Sequence, residues 1–415
     1  MRPRLVQRFF ACAALLLSSC GAALVLGEFV VRRAAPQAKP LTVALRNLHR
    51  TDRDLGYVMV PNFHRAVRTP AFTSDVRTST IALRDREYAP HQPGTFRILG
   101  LGDSYVFGAH AGPLDSCFVK RLEARLGREL RAQPYTAVDG RKWRDMEIVN
   151  AGVIGYGTEQ EIELLRRLDP VLRPDAVLLA FCLFNDFADN SGLTRMTVVE
   201  GYQALVLSTV GFGDRGWSLP RHVRLWLHAN SDLYALFKVR VLHPARRALA
   251  SPAGATAPGP RPLDYYIYDS GFADCLRAAP SARLEHGIAV TRAALQELRA
   301  WCDTRGTTAL VVALPAELQA DGAARPDWIE RFGLDPSTLD FDLPNRRLAA
   351  LAAEAGLPLV DLTPEFAART GRGERLHLVG DGHWNAAGHA AAAGALAGPV
   401  RDNLLEAPAH LIGSR

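Results

Sequence analysis

A serine hydroxyl attacks a carbonyl carbon only when a base takes its proton, and histidine supplies that base near neutral pH. Four separated segments hold residue types suited to such chemistry: Gly102-Asp103-Ser104, Asn150-Ala151-Gly152, Asn185-Asp186 and Asp381-Gly382-His383-Trp384-Asn385. Ser104 is the candidate nucleophile and His383 its base. Asp381, two residues before the histidine, is placed to hold the second ring nitrogen and stabilise the imidazolium. Attack leaves negative charge on the former carbonyl oxygen, and a fixed donor aimed at that charge is worth about 3–4 kcal/mol in acyl-transfer enzymes. Three donors are on offer for such an oxyanion hole: the Ser104 N–H, the Gly152 N–H, which carries no side chain to block approach, and the Asn185 amide.

Other residues near these segments have plainer readings. Asp103 is expected to fix the turn before Ser104, and Asp186 to support its own loop. His389 competes with His383 as base but falls in a helix expected over Ala386–Ala397, where a surface position is expected. Asp361 is either a substitute orienter of the histidine or a helix cap, and Trp384 either stacks on a sugar face or packs in the core.

The elements that must position these groups read as regular alternation. Phe96–Leu101, Glu147–Asn150, Ala176–Phe181, Ala309–Leu314 and Leu357–Val360 are short apolar strands. Helices are expected around Cys117–Arg131, Thr158–Leu168, 284–304 and Asn345–Glu354, and from Ala386. Strands alternating with helices argue for a three-layer α/β/α sandwich on a mainly parallel, doubly wound sheet, whose sites collect at the strands' carboxyl ends. The first three chemical segments each follow a strand directly, and the fourth lies between the last strand and a helix, so all four can meet at one rim.

The chain divides by composition into a leader over residues 1–35, a polar wrapping segment over 36–95, and the alternating domain over 96–405. That domain carries a helical insertion at about 187–283. Within the insertion, Ser231 is a candidate cap for a helix bearing Leu233, Leu236, Phe237 and Val241, and Ser251–Pro260 reads as a linker. The insertion is either a subdomain on the sheet edge or a lid over the site.

The chain has 415 residues and a net charge of +6. Residues 1–46 hold seven basic residues against the single acid Glu28, so the remainder is nearly neutral and no basic face for nucleic acid is indicated. Arg2, Arg4 and Arg8 precede an apolar run from Phe9 to Val31, the pattern of an export signal. Its length and positive flank fit a membrane anchor, while Leu17-Ser18-Ser19-Cys20 resembles a lipobox with Cys20 as the residue to be lipidated. Of the six cysteines, Cys12 and Cys20 belong to the leader; the other four permit several disulfide pairings, and Cys182 reads as a core residue. No metal-ligand spacing and no phosphate-binding glycine loop stands out, so neither a metal nor a cofactor is expected.

The four segments, in order, resemble blocks I, II, III and V of the SGNH/GDSL hydrolase superfamily, with Ser104, Gly152, Asn185 and His383 at its four namesake positions. The stretch Arg97–Gly108 is also similar to a bacterial branch with an N-terminal membrane anchor. The resemblance implies the flavodoxin-like α/β/α fold of that superfamily and an acyl-serine mechanism. It further implies an acylated small-molecule or carbohydrate substrate, and a catalytic domain on the far side of a bacterial membrane, periplasmic or extracellular. Two departures stand out. Leu183 occupies the block III position where glycine is usual. Asp381 and His383 are two residues apart rather than three, a spacing that resembles bacterial polysaccharide O-acetyl esterases and acetyltransferases.

Overall fold

The computed structural model describes residues 3–35, 37, 44–68, 72–137, 140–192, 194–199, 201–205, 223, 226–227, 230–237, 240–241, 272–332, 334–378 and 382–406. Its centre is a five-stranded, wholly parallel sheet of β1 (Thr95–Gly102), β2 (Asp145–Gly152), β3 (Ala176–Cys182), β4 (Thr308–Leu314) and β5 (Leu359–Asp361). The order across the sheet is β5-β4-β3-β1-β2, so the chain reverses its winding between β1 and β3. An open α/β sheet forms its crevice at such a reversal. β3 and β4 are buried at all seven positions each, as strands covered by helices on both faces must be. Leu101 sits opposite Ala151 on one side and Leu179 on the other, and Gly102 opposite Gly152, which brings the ends of β1 and β2 level while β3 runs on to Cys182.

Helices follow the strands in chain order after the N-terminal helix α1 (Pro3–Ala34): α2 (Ser104–Phe107), α3 (Phe118–Ala132), α4 (Thr158–Leu172), α5 (Asp186–Asn190), α6 (Ala282–Arg305), α7 (Leu343–Glu354), α8 (Thr363–Gly371) and α9 (Ala386–Val400). One core face gathers Ile98, Leu178, Ala180, Leu310 and Val312 from alternate strand positions, against Phe118, Leu122 and Leu126 of α3 and Ala392 and Leu396 of α9. Each such fully buried leucine or phenylalanine contributes about 1.5–3 kcal/mol. Sequence cues set the helix ends. The Ser281 hydroxyl accepts from the Leu284 N–H at the start of α6, and Gly306, at φ 61°, ends it in the left-handed conformation. Asn385 does the same for α9 through the Ala387 and Gly388 N–H groups.

The chain clusters into two compact units, one of Met1–Ala44 with Asp214–Arg261, the other of Leu45–Gly213 with Pro262–Arg415. In the first, the Glu28 carboxylate of α1 accepts from the Ser231 hydroxyl and from the Asp232 and Leu233 N–H groups, at 2.7, 2.9 and 3.0 Å. The single acid of the apolar leader thus sits at the start of the short helix Asp232–Phe237, where its charge meets the positive end of the helix dipole. Ser231 caps that helix, accepting from the Tyr234 N–H at 2.9 Å. The linker Ser251–Pro260 lies outside the described residues. Ala11–Ala34, of mean hydropathy 2.0, is long and apolar enough to cross a bilayer.

In the second unit, two hairpins (His49–Asp52 with Gly56–Met59, and His64–Arg68 with Thr73–Arg77) precede β1. Behind them Arg84 is buried at 2 % exposure. Its guanidinium donates to the carbonyls of Phe107, Gly108 and Gly112 and to the Ser74 hydroxyl. Arg84 therefore clamps the loop that follows the Ser104 helix. Asp85 accepts from the Asn150 N–H at 2.7 Å and pairs with the buried Lys120 at 3.2 Å, supporting the end of β2 in the same way.

Candidate active site

The Gly102-Asp103-Ser104 turn leaves β1 and starts α2, with the Asp103 carboxylate accepting the Tyr105 N–H at 2.9 Å. Ser104, 8 % exposed, stands at the first position of that helix. Its Oγ lies 2.8 Å from His383 Nε2, although 279 residues separate the two in sequence. That is hydrogen-bond distance for O–H···N, and with the imidazole proton on Nδ1 the Nε2 lone pair can take the serine proton. Asp381 lies outside the described residues. The other candidate orienter, Asp361, accepts from the Thr363 N–H and from the Asn345 amide, as a carboxylate closing the start of α8 should.

Two rings pack on the His383 imidazole. Tyr105 lies with its centroid 5.1 Å away and His110 4.6 Å away, while Phe72 meets His110 edge-on at 5.6 Å. The Tyr105 hydroxyl donates to the Gly382 carbonyl at 3.0 Å, and Gly382 turns the loop at φ 88°. These contacts hold the imidazole loop over Ser104. Sequence reading missed both aromatic partners. The available signal for His110 was its place in the turn Gly108-Ala109-His110-Ala111-Gly112, six residues after the serine.

Two of the three expected oxyanion donors are engaged at rest. The Gly152 N–H donates to Asn150 Oδ1 at 3.0 Å. A Cβ built on Gly152 would stand 2.1 Å from the Phe107 backbone nitrogen, so the missing side chain lets α2 settle against β2. The open N–H expected from sequence is thus paired, and the glycine serves close approach. The Asn185 amide bridges Asp103 at 3.1 Å and Asp189 at 2.6 Å, tying the end of β3 to the serine turn. Burial pushes the Asp103 carboxyl above its usual range against the pull of its N–H partners, and raises Asp189 to about 8.

His389 is in the expected helix but not on its surface. It is 2 % exposed, lies parallel to the Phe118 ring and accepts the Phe118 N–H at 3.3 Å. Burial lowers it to about 3, which keeps the ring neutral. The small alanines around it in α9 let neighbouring helices close over an imidazole that periodicity alone would leave outside. Trp384 is fully buried against Tyr105, Phe118 and Phe366, with Nε1 donating to the Pro315 carbonyl at 3.2 Å, which selects the packing role over sugar stacking. All four cysteines beyond the leader are buried and outside any disulfide, and Cys182 is a core residue at the end of β3. No cluster of three or more metal-ligating side chains occurs among the described residues.

The sheet of order β5-β4-β3-β1-β2 thus carries a serine–histidine contact at its winding reversal. Residues 276–412 match the family described as the SGNH hydrolase-like domain of the acetyltransferase AlgX, so this part of the chain is SGNH hydrolase-like. The matched stretch contains His383, whereas Ser104 precedes it. Among solved structures the chain is similar to LAE5, an α/β hydrolase from the metagenome of Lake Arreo, at 14 % identity, covering 77 % of this chain and 97 % of that one, with TM-score 0.36. It is also similar to a lipase/acylhydrolase from Enterococcus faecalis (15 %, 74 % and 97 %, 0.35). A two-domain esterase active on acetylated mannans gives 11 %, 77 % and 50 %, with TM-score 0.37. No curated protein matches the chain.

Proposed function

We propose that this protein is a serine ester hydrolase that removes an acyl group, most simply acetyl, from an envelope or extracellular carbohydrate. The observation that carries this reading is the 2.8 Å contact between Ser104 Oγ and His383 Nε2, set at the carboxyl rim of the sheet. Ser104 Oγ bonds to the ester carbonyl carbon while His383 Nε2 takes the hydroxyl proton. The tetrahedral oxyanion is stabilised by the Ser104 N–H, by the Gly152 N–H once released from Asn150, and by the Asn185 amide after it turns from its acids. Collapse breaks the bond to the alcohol oxygen, which leaves with the proton from His383. Water then attacks the acyl-serine, gives its proton to His383, and the serine is regenerated as the acid departs. Asp381 is the proposed orienter of the imidazole. The apolar helix Ala11–Ala34 serves as the anchor that holds the catalytic domain on the far face of the membrane.

A second reading, transfer of the acyl group to a glycan hydroxyl instead of water, draws on the match to an acetyltransferase family. Both share the acyl-serine and differ in what attacks it. Ser104→Ala should abolish p-nitrophenyl acetate cleavage and labelling by a fluorophosphonate; retained turnover removes Ser104 from the mechanism. Wild-type protein that takes no label would instead be a binding or assembly protein on a hydrolase scaffold. Acetate appearing on an added glycan rather than in water selects transfer.

A further inference from the structure

The loop that follows β3 borders an apolar pocket that proton transfer does not use. It is walled by Leu183, Phe184, Phe272, Trp328, Leu334 and Phe341. Phe184 precedes Asn185, whose amide reaches Asp103. The Trp328 ring edge faces Gly382, where a built Cβ would stand 3.5 Å from Trp328 Cζ2. The pocket therefore sits between the loops that carry Asn185 and His383. We propose that it receives the acyl group of the ester and that Trp328 closes it to all but short chains; this rests on the ester-cleavage reading above.

The walls select the occupant by what they lack. Gln319 is the polar chain in the lining, and it is already committed: Oε1 accepts the Ala316 N–H, while Nε2 donates to the Phe341 carbonyl and Asn345 Oδ1. Trp328 Nε1 donates to Glu317 Oε2 at 3.0 Å. A sugar ring here would lose the water around its hydroxyls without replacement partners, a cost of about 1–3 kcal/mol for each. An alkyl group loses nothing and gains burial. The free volume is about 20 Å³, where one water needs roughly 10–15 Å³, so a methyl-sized group fits and a long chain does not. Phe184 stacks on Phe272 at 4.4 Å and meets Trp328 edge-on at 5.7 Å, a framework that resists widening. Leu183, standing where the resembled pattern has glycine, supplies a wall that pattern would leave open.

The test compares p-nitrophenyl acetate, butyrate and octanoate, together with ethyl and octyl fluorophosphonates as probes of Ser104 that do not depend on turnover. Wild-type protein should favour the acetyl and ethyl reagents. Trp328→Ala and, independently, Leu183→Gly should raise the long-to-short ratio about 10-fold or more, the scale on which pockets discriminate chain length. A labelled wild type whose ratio is unchanged in either variant, both folded by circular dichroism, overturns the pocket assignment alone. A wild type neither labelled by nor active on any reagent overturns the ester reading and the pocket together.

Discussion

Glu161 of α4 and Asp186 of α5 are both fully buried, and both Glu161 oxygens and Asp186 Oδ1 have no hydrogen-bond partner among the described residues. Removing a carboxylate from water without partners favours its neutral form. Burial accordingly pushes both groups well above the carboxylate range; Asp103 and Asp189 raise both further, and Glu161 also raises Asp186. The linkage sign follows. A carboxyl whose folded pKa exceeds its unfolded value adds no penalty below the unfolded pKa. As pH rises toward the folded pKa, the unfolded chain sheds a proton that the folded one must keep, so stability is progressively lost, by about 1.4 kcal/mol per pH unit and group. Glu161→Gln should therefore flatten the fall of Tm between pH 5 and pH 9, with the two proteins converging in their pH response near pH 4. Thermal melts across that range check it; parallel curves would mean that Glu161 ionises as freely in the folded protein as in the unfolded chain. The pair also bears on the site, because Asp186 accepts the Cys182 N–H at 2.9 Å and so shapes the turn into Asn185.

At the scale of elements, the Arg84 clamp joins the chain before β1 to the serine loop. Arg84→Met keeps most of the bulk and removes the donors to three loop carbonyls, leaving buried acceptors that cost about 1–3 kcal/mol each. The expected result is a Tm lower by several degrees and a kcat that falls more than KM rises, since the loop carries His110 against the base. An unchanged kcat at lowered Tm would confine Arg84 to stability. This clamp also marks where sequence reading stops. The five strands and the principal helices were legible because burial on two faces leaves continuous apolar runs and burial on one leaves a helical stripe. Ser104 and His383 were legible because their residue types and order sufficed to pair them. Arg84, Tyr105, His110 and Trp328 were not, because each owes its role to a partner far along the chain or to the direction of a loop, which periodicity does not encode. The paired state of the Gly152 N–H was hidden for a related reason: it depends on the rotamer of Asn150.

For the molecule as a whole, the leader and one part of the insertion, Asp214–Arg261, belong to one compact unit, and Glu28 joins α1 to the helix Asp232–Phe237. A chain lacking residues 1–35 should move from the membrane to the soluble fraction while Ser104 still takes a fluorophosphonate. Its 214–261 segment should be cut faster by limited proteolysis, because the helix Asp232–Phe237 has lost its carboxylate. Membrane recovery of the truncated chain would place the attachment elsewhere.

The separation of Ser104 and His383 by 279 positions also orders events in time. A ribosome adds residues at about 5–20 per second, so the serine turn precedes its histidine by tens of seconds of synthesis. Through that interval the emerging polypeptide has an ordinary alcohol at position 104, no more reactive than any other serine. The chemistry proposed for this pair therefore begins only when the segment around His383 folds back onto the end of β1.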